Sequence, residues 1–159
     1  MKILVLGVGQ SYRGDDAVGL EAVRYWMNKY PNTAKHPSIR VEFIETPIID
    51  LVDNFREADV VIIVDAVKGN KKPGEIYIIQ DLSEFQTRHT FSGHGFGILE
   101  SVGLMKILEP NTFPSDIYFI GVEIASAEHG NALSKTIMAS LPHVAKSIDE
   151  LLQKYLIQL

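Results

Sequence analysis

The sequence predicts an α/β fold, a single-domain three-layer α/β/α sandwich with a doubly wound, mostly parallel sheet of about five strands. Short apolar runs rich in β-branched residues alternate along the chain with longer segments of helical periodicity, and this alternation is typical of parallel sheets that helices cover on both faces. A glycine-rich turn leads from the first predicted strand into the first predicted helix. With 159 residues and no internal repeat, the chain is most simply one domain, residues 1–159.

Five segments are predicted to be strands. Four are apolar runs of the kind that parallel sheets bury on both faces, namely residues 2–6, 40–45, 60–64 and 116–122. The fifth, residues 75–80, alternates more between apolar and polar side chains and follows the turn Lys72-Pro73-Gly74. This pattern predicts an edge or antiparallel position for the fifth strand.

Four segments between and after these strands are predicted to be helices, namely residues 18–30, 46–57, 96–108 and 141–156. Thr46 and Pro47 supply an N-cap and a proline at the first helical position for the second of them. For the last helix we expect Ser140 as the N-cap and Pro142 in the first turn.

The composition excludes several classes of protein. The hydrophobic fraction of 46% with 22% charged residues is that of a folded globular chain. A formal charge of −5 and no basic cluster larger than Lys71-Lys72 argue against nucleic-acid binding. The absence of cysteine excludes disulfides, thiolate metal sites and a cysteine nucleophile, and it agrees with a reducing cytoplasm. The apolar run at the N-terminus is too short for a signal peptide, and no run is long enough for a membrane span.

The turn after the first strand carries an unusual pair of acids. Residues 7–19 read GVGQSYRGDDAVG, and Gly9 and Gly14 have the spacing of the two glycines of a phosphate-binding P-loop. Asp15 and Asp16 stand where that loop needs lysine and serine or threonine. Because two carboxylates repel a phosphate, the turn is better suited to a metal cation or a proton. One acid is expected to cap the helix while the other faces the crevice.

Three chemically useful side chains are predicted to meet at the carboxyl edge of the sheet, where doubly wound folds bind ligands. Asp16 follows the first strand, Asp65 closes the run at residues 60–64, and His94 lies between two glycines before the third predicted helix. Two carboxylates and one imidazole suit nickel, zinc or another borderline divalent metal better than calcium. Each residue also has a structural interpretation: a helix cap for Asp16, an acceptor of loop N–H groups for Asp65, and a loop histidine for His94.

The ordered set of these motifs resembles the hydrogenase maturation endopeptidases, which trim the C-terminus of the large subunit of nickel–iron hydrogenases. The resemblance runs almost from end to end. It rests on residues 7–10 and 14–19, on Val64-Asp65-Ala66-Val67, on Ser92-Gly93-His94, on Gly121-Val122-Glu123, and on Gly130 with Leu133-Ser134.

The resemblance implies a three-layer α/β/α fold and metal ligands at Asp16, Asp65 and His94. It implies that the metal is nickel supplied by the substrate, for which zinc or another divalent ion can substitute. The implied partner is the precursor of the hydrogenase large subunit, which the protease cuts once nickel signals complete assembly. Asp15, a carboxylate not used as a ligand, is the candidate general base and therefore a fourth candidate catalytic residue.

Two other functions fit part of the same pattern. A phosphoacceptor receiver domain also pairs acids after its first strand with an aspartate after its third, which Asp15, Asp16 and Asp65 would imitate. The acids here lie well beyond Gly7, however, and Glu123 follows the last strand where a receiver needs lysine. A non-catalytic, metal-dependent binding module is the other alternative. The sequence does not determine the oligomeric state.

Overall fold

A five-stranded sheet forms the centre of the protein in the computed structural model, which describes residues 1–45, 53–80, 98–125 and 132–158. The spatial order of the strands is β2-β1-β3-β5-β4. Their bounds are β1 (Ile3–Val8), β2 (Ile39–Ile44), β3 (Val60–Val67), β4 (Ile76–Ile79) and β5 (Asp116–Glu123). The first three and the fifth strand are parallel, and β4 pairs with β5 in the antiparallel sense at the edge. The predicted edge or antiparallel position of this strand is therefore confirmed.

Helices cover both faces of the sheet. Their bounds are α1 (Val18–Lys29), the short α2 (Pro31–Ala34), α3 (Ile98–Leu108) and α4 (Lys135–Leu156). Helices α1 and α4 pack on one face, in a core that includes Trp26 and Ile148. Helix α3 packs on the other face, where Val102 and Met105 meet Phe55 and Phe119. These two cores make three layers, so the predicted α/β fold is confirmed.

Strand β3 extends further than its apolar run predicts. It continues through Val67, so Asp65 lies inside the strand and does not close it. The ladder with β5 explains the difference, because Asp65 pairs with Gly121 and the pairing runs on to Val67 with Glu123. Hydrogen bonds to β5 thus extend β3 beyond Asp65, although aspartate has a low strand propensity.

Helix α4 begins earlier than predicted. It starts at Lys135, and the N-cap is Ser134, whose hydroxyl accepts a hydrogen bond from the backbone N–H of Ile137 at 3.4 Å. Ser140 is buried inside the helix, and Pro142 lies well beyond the first turn. The buried Ile137 extends the apolar stripe of the helix before the proline, so packing outweighs the cost of the missing N–H.

Two further predictions fall partly outside the described residues. The predicted helix 46–57 overlaps the described chain only from residue 53, and residues 53–55 are helical. Helix α3 begins at Ile98, while residues 96–97 of the predicted segment lie outside the described chain. Among the described residues, no helix combines the length and apolar character that crossing a bilayer requires.

Candidate functional site

The strand order reverses direction between β1 and β3, which is where doubly wound folds open a ligand-binding crevice. Strand β1 pairs with β3 as far as Gly7 with Val64, whereas β3 pairs with β5 three residues further. Asp65 is therefore the first residue of β3 beyond its ladder with β1. The end of β1 and the flank of β3 beyond this ladder mark the place at the carboxyl edge where such a crevice is expected.

The turn after β1 is held in place by the end of β2. The backbone N–H of Gly9 donates to the carbonyl of Ile44 at 3.1 Å, and the N–H of Ser11 donates to Glu45 Oε1 at 2.9 Å. The Ser11 hydroxyl donates to the same carboxylate oxygen. These two bonds lower the pKa of Glu45. The turn then closes into a short 3₁₀ helix, Gly14–Ala17, that leads directly into α1.

Two glycines allow the backbone to pack tightly around the crevice. A Cβ atom on Gly9 would lie 2.4 Å from the carbonyl oxygen of Asp16. A Cβ atom on Gly19 would lie 2.2 Å from the carbonyl oxygen of Val8 and 2.3 Å from that of Val64. The start of α1 therefore rests directly on the ends of β1 and β3, at a distance that only glycine permits.

Asp16 and Asp65 are both buried at this point, with relative exposures of 1% and 8%. The Asp65 carboxylate accepts a hydrogen bond from the N–H of Ala66 at 2.7 Å. Burial raises the pKa of Asp65 well above its usual value, and the negative charge of Asp16 raises it further, while the Ala66 bond acts in the opposite sense. The fold therefore brings two of the predicted ligands together as a pair of buried, electrostatically coupled acids.

Asp15, the neighbour of Asp16, is hydrogen-bonded to the start of α4. One of its carboxylate oxygens accepts a hydrogen bond from the N–H of Ser134 at 2.7 Å, and the other accepts one from the Ser134 hydroxyl at 2.9 Å. Asp15 thus joins the turn after β1 to the N-cap of α4.

His94 lies outside the described residues, so its position relative to the two acids remains a prediction. Among the residues that the structure describes, no cluster of three or more potential metal ligands occurs. Strand alternation puts Asp65 on the same face as Ile63 and Val67, which belong to the core beneath α3. Ile98, four residues after His94, packs against that same core. The chain therefore re-enters the described fold on the face of the sheet that carries Asp65.

Another carboxylate at this edge, that of Glu123, has a structural role that the sequence did not predict. Glu123 ends β5 as predicted and is 3% exposed. Both of its carboxylate oxygens accept from the N–H of Gly69 at 2.9 Å, and the hydroxyl of Tyr77 donates to Oε2 at 3.2 Å. The sequence signal was present, since an acid directly after an apolar strand requires polar partners.

The chemistry of the Asp16–Asp65 pair favours a cation. Two carboxylates in a buried crevice repel each other and lose hydration, and a divalent metal offsets both costs. Carboxylate oxygens with one imidazole form a donor set that nickel and zinc accept. A proton on Asp65 would serve the same purpose in the metal-free protein, which agrees with the raised pKa of Asp65.

Comparison with known proteins gives a consistent picture. A family model described as hydrogenase maturation protease matches residues 32–151 of the chain. The hydrogenase 2 maturation protease of Escherichia coli is 28% identical over 149 residues, which are 89% of this chain and 84% of that protein. The protein FrxA of Pyrococcus furiosus is 27% identical over 137 residues, 85% of this chain and 93% of that protein.

Solved structures share the fold. The hydrogenase-maturating endopeptidase HybD from E. coli has a TM-score of 0.80 at 23% identity, covering 98% of this chain and 94% of that one. The NiFe hydrogenase maturation protease HybD from Thermococcus kodakarensis has a TM-score of 0.77 at 24% identity, covering 95% and 99%.

Proposed function

The chain belongs to the hydrogenase maturation protease family, and on that premise we propose that it removes the C-terminal peptide from the nickel-loaded precursor of a nickel–iron hydrogenase large subunit. The observation that carries this proposal is the pair of buried acids, Asp16 and Asp65, at the crevice of the sheet. Their coupling, visible in the raised pKa of Asp65, is typical of a site prepared for a cation or a proton.

We assign metal recognition to Asp16, Asp65 and His94. The two aspartates supply oxygen ligands from the turn after β1 and from β3, and His94 supplies a nitrogen from the segment before α3. The nickel is part of the substrate, so only a precursor that already carries it completes the site. Zinc or another divalent ion is expected to occupy the same ligands in the isolated protein.

Binding through the metal brings the substrate to the carboxyl edge of the sheet. Three protein ligands leave further coordination positions open for groups of the precursor or for water. A metal held by Asp16, Asp65 and His94 would either orient the peptide that is cut or, as a Lewis acid, polarise its carbonyl and activate a water. Asp15, the candidate general base, has both carboxylate oxygens engaged by Ser134. That geometry supports a structural role for Asp15 more than a role in proton transfer.

The proposal is tested by incubating the protein with nickel-loaded and nickel-free precursor and measuring the precursor mass. We expect loss of a C-terminal peptide only from the nickel-loaded form. Asp16→Asn and His94→Ala are expected to abolish cleavage while the circular dichroism spectrum stays that of the wild type. Asp53→Asn, which changes an exposed aspartate on the surface, is the matched control and is expected to cleave normally.

The possible outcomes separate the alternatives. Tight binding with no change in precursor mass would identify a binding module instead of a peptidase. Equal cleavage with and without nickel would show that the protein does not recognise its precursor through the metal. Normal cleavage by Asp16→Asn would show that Asp16 is not part of the site and that cleavage depends on other residues.

A further inference from the structure

Four lysines lie together at the carboxyl edge of the sheet. Lys68, Lys71 and Lys72 belong to the loop between β3 and β4, and Lys135 is the first residue of α4. The loop packs against the start of that helix, since a Cβ atom on Gly74 would lie 3.3 Å from Cγ2 of Thr136. We refer to these four residues as the lysine cluster.

The loop that carries three of the lysines is held firmly. The Glu123 side chain accepts from Gly69 as described above, and its carbonyl oxygen accepts from the N–H of Gly74 at 2.8 Å. The N–H of Lys71 donates to the hydroxyl oxygen of Tyr77 at 3.3 Å, and Tyr77 in turn donates to Glu123. One buried residue, Glu123, thus braces the loop near both of its ends, with its carboxylate at Gly69 and its backbone carbonyl at Gly74, so the lysines project from a fixed backbone.

Among the described residues, few groups compensate the charges of the cluster. Lys68, Lys72 and Lys135 are exposed, and none of them forms an ion pair within the described part of the chain. Lys71 is partly engaged, because its Nζ lies 3.2 Å from the carbonyl oxygen of Ile76 and 4.4 Å from the centre of the Tyr77 ring. Glu75 is the exposed acid beside the loop.

Lys135 stands in an electrostatically unfavourable place. It is the first residue of a 22-residue helix whose first turn contains no acid. The positive end of the helix dipole disfavours a cation there. Asp15, which accepts hydrogen bonds from the preceding Ser134, is the acid that lies against this end of the helix. Asp15 offsets part of this cost, and the exposed side chain of Lys135 leaves its charge available to a ligand.

The lysine cluster borders the site of Asp16 and Asp65. Lys68 follows Asp65 by three residues on the continuation of β3. On the other side, Lys135 follows Ser134, which is bonded to the neighbour of Asp16. The positive surface and the acidic crevice therefore share one edge of the sheet, in a chain with a net charge of −5.

We infer that the lysine cluster binds a carboxylate-bearing segment of the protein substrate while the acidic crevice holds the bound metal. This inference rests on the proposed function. A polypeptide fits better than a nucleic acid, because a single patch of four lysines on an acidic chain is small for a phosphate backbone. Positive charge beside the crevice also offsets the repulsion that the chain's net charge exerts on an acidic partner.

The test compares two double variants with the same change of charge. Lys68→Glu with Lys72→Glu reverses two of the four charges and leaves the cluster with no net charge. Lys29→Glu with Lys35→Glu reverses two exposed lysines near the end of α1, at the opposite edge of the sheet. Cleavage of nickel-loaded precursor is measured at low and at physiological ionic strength. We expect kcat/KM of the first variant to fall about tenfold or more at low salt, mainly through KM, and the loss to shrink as salt screens the charges.

The outcomes distinguish this inference from the function itself. If the wild type fails to cut the precursor, the proposed function is wrong. If the wild type cuts it and both variants lose the same activity, the effect reflects net charge and the lysine cluster has no specific role. If short DNA competes with precursor for the wild type but not for the variant of Lys68 and Lys72, the cluster is a nucleic-acid surface and the inference is overturned.

Discussion

Asp15 and Ser134, which are 119 residues apart in the sequence, are joined by two hydrogen bonds, from the Ser134 N–H at 2.7 Å and from its hydroxyl at 2.9 Å. The Ser134 hydroxyl also accepts from Ile137 as the N-cap of α4. Ser134 therefore holds the 3₁₀ helix that carries Asp15 and at the same time caps the start of α4. The contact fixes Asp15, and with it the backbone that presents Asp16 to the crevice.

Replacing Ser134 by alanine is expected to destabilise the protein by about 1 kcal/mol, the usual cost of removing a helix N-cap. The variant loses the capping hydroxyl and one of the two bonds to Asp15, while the backbone N–H bond survives. Urea denaturation measures the change. Ser134→Thr keeps a hydroxyl and is expected to retain most of the stability. Ser147→Ala, which removes an exposed hydroxyl bonded within the same helix, is the matched control and is expected to be nearly neutral.

The role of Asp15 can be separated from that of Asp16 by Asp15→Asn. An asparagine still accepts from the Ser134 N–H through its carbonyl oxygen, so a structural Asp15 predicts a loss of activity of less than about tenfold. A general base contributes roughly 10²–10⁴-fold, and an amide cannot replace it. Single-turnover cleavage of nickel-loaded precursor measures the difference. A loss of a hundredfold or more without loss of stability would restore Asp15 as the base.

The apolar runs were sufficient to predict the sheet, because strands buried on both faces leave a continuous pattern in the sequence. The position of Asp65 was predicted less well, since hydrogen bonding to β5 extends β3 past the end of its apolar run. The start of α4 was missed for a related reason. Pro142 suggested a first turn, but burial of Ile137 and capping by Ser134 determine where the helix begins.

The sequence predicted only the part of the site that follows from the topology of the sheet. The rule that ligands bind at the carboxyl ends of strands placed Asp16 and Asp65 near each other, and the structure shows them as coupled buried acids. The Asp15–Ser134 contact and the brace at Glu123 depend on segments that are distant in the sequence. A single chain carries no pattern for such contacts, so only the three-dimensional structure reveals them.

Asp65→Asn is expected to make the metal-free protein more stable at neutral pH. The pKa of Asp65 is raised in the folded state above its usual value of 3.8, so within the window between these two values the folded protein holds a proton that the unfolded chain has released. The unfolding free energy of the wild type therefore falls as pH rises from about 3.8 towards the folded pKa, and this loss persists above it. Asparagine does not titrate, and its advantage grows with pH across the same window.

Urea denaturation of both proteins between pH 4 and 8, in the presence of a chelator, measures this difference. Nickel binding should show the opposite dependence for the wild type, with affinity rising with pH because the metal displaces the proton from Asp65. The Asn variant is expected to bind nickel weakly at every pH. A constant difference in stability across the range would show that Asp65 keeps its ordinary pKa in the folded protein.

Gly19→Ala is expected to damage both the fold and the site. The added Cβ would lie 2.2 Å from the Val8 carbonyl oxygen and 3.0 Å from Cα of Asp65, so α1 must move away from the ends of β1 and β3. Overpacking of this kind costs about 1–3 kcal/mol, and the movement separates Asp16 from Asp65. Thermal unfolding and nickel titration measure the two effects. In Gly7→Ala the added Cβ would lie 3.1 Å from the Gly19 carbonyl oxygen and from Phe43 Cδ1 and 3.3 Å from Val23 Cγ2. The last two belong to side chains that can yield, so this variant is expected to lose less stability and less nickel affinity. Equal losses for the two variants would show that the close approach at Gly19 has no special part in forming the crevice.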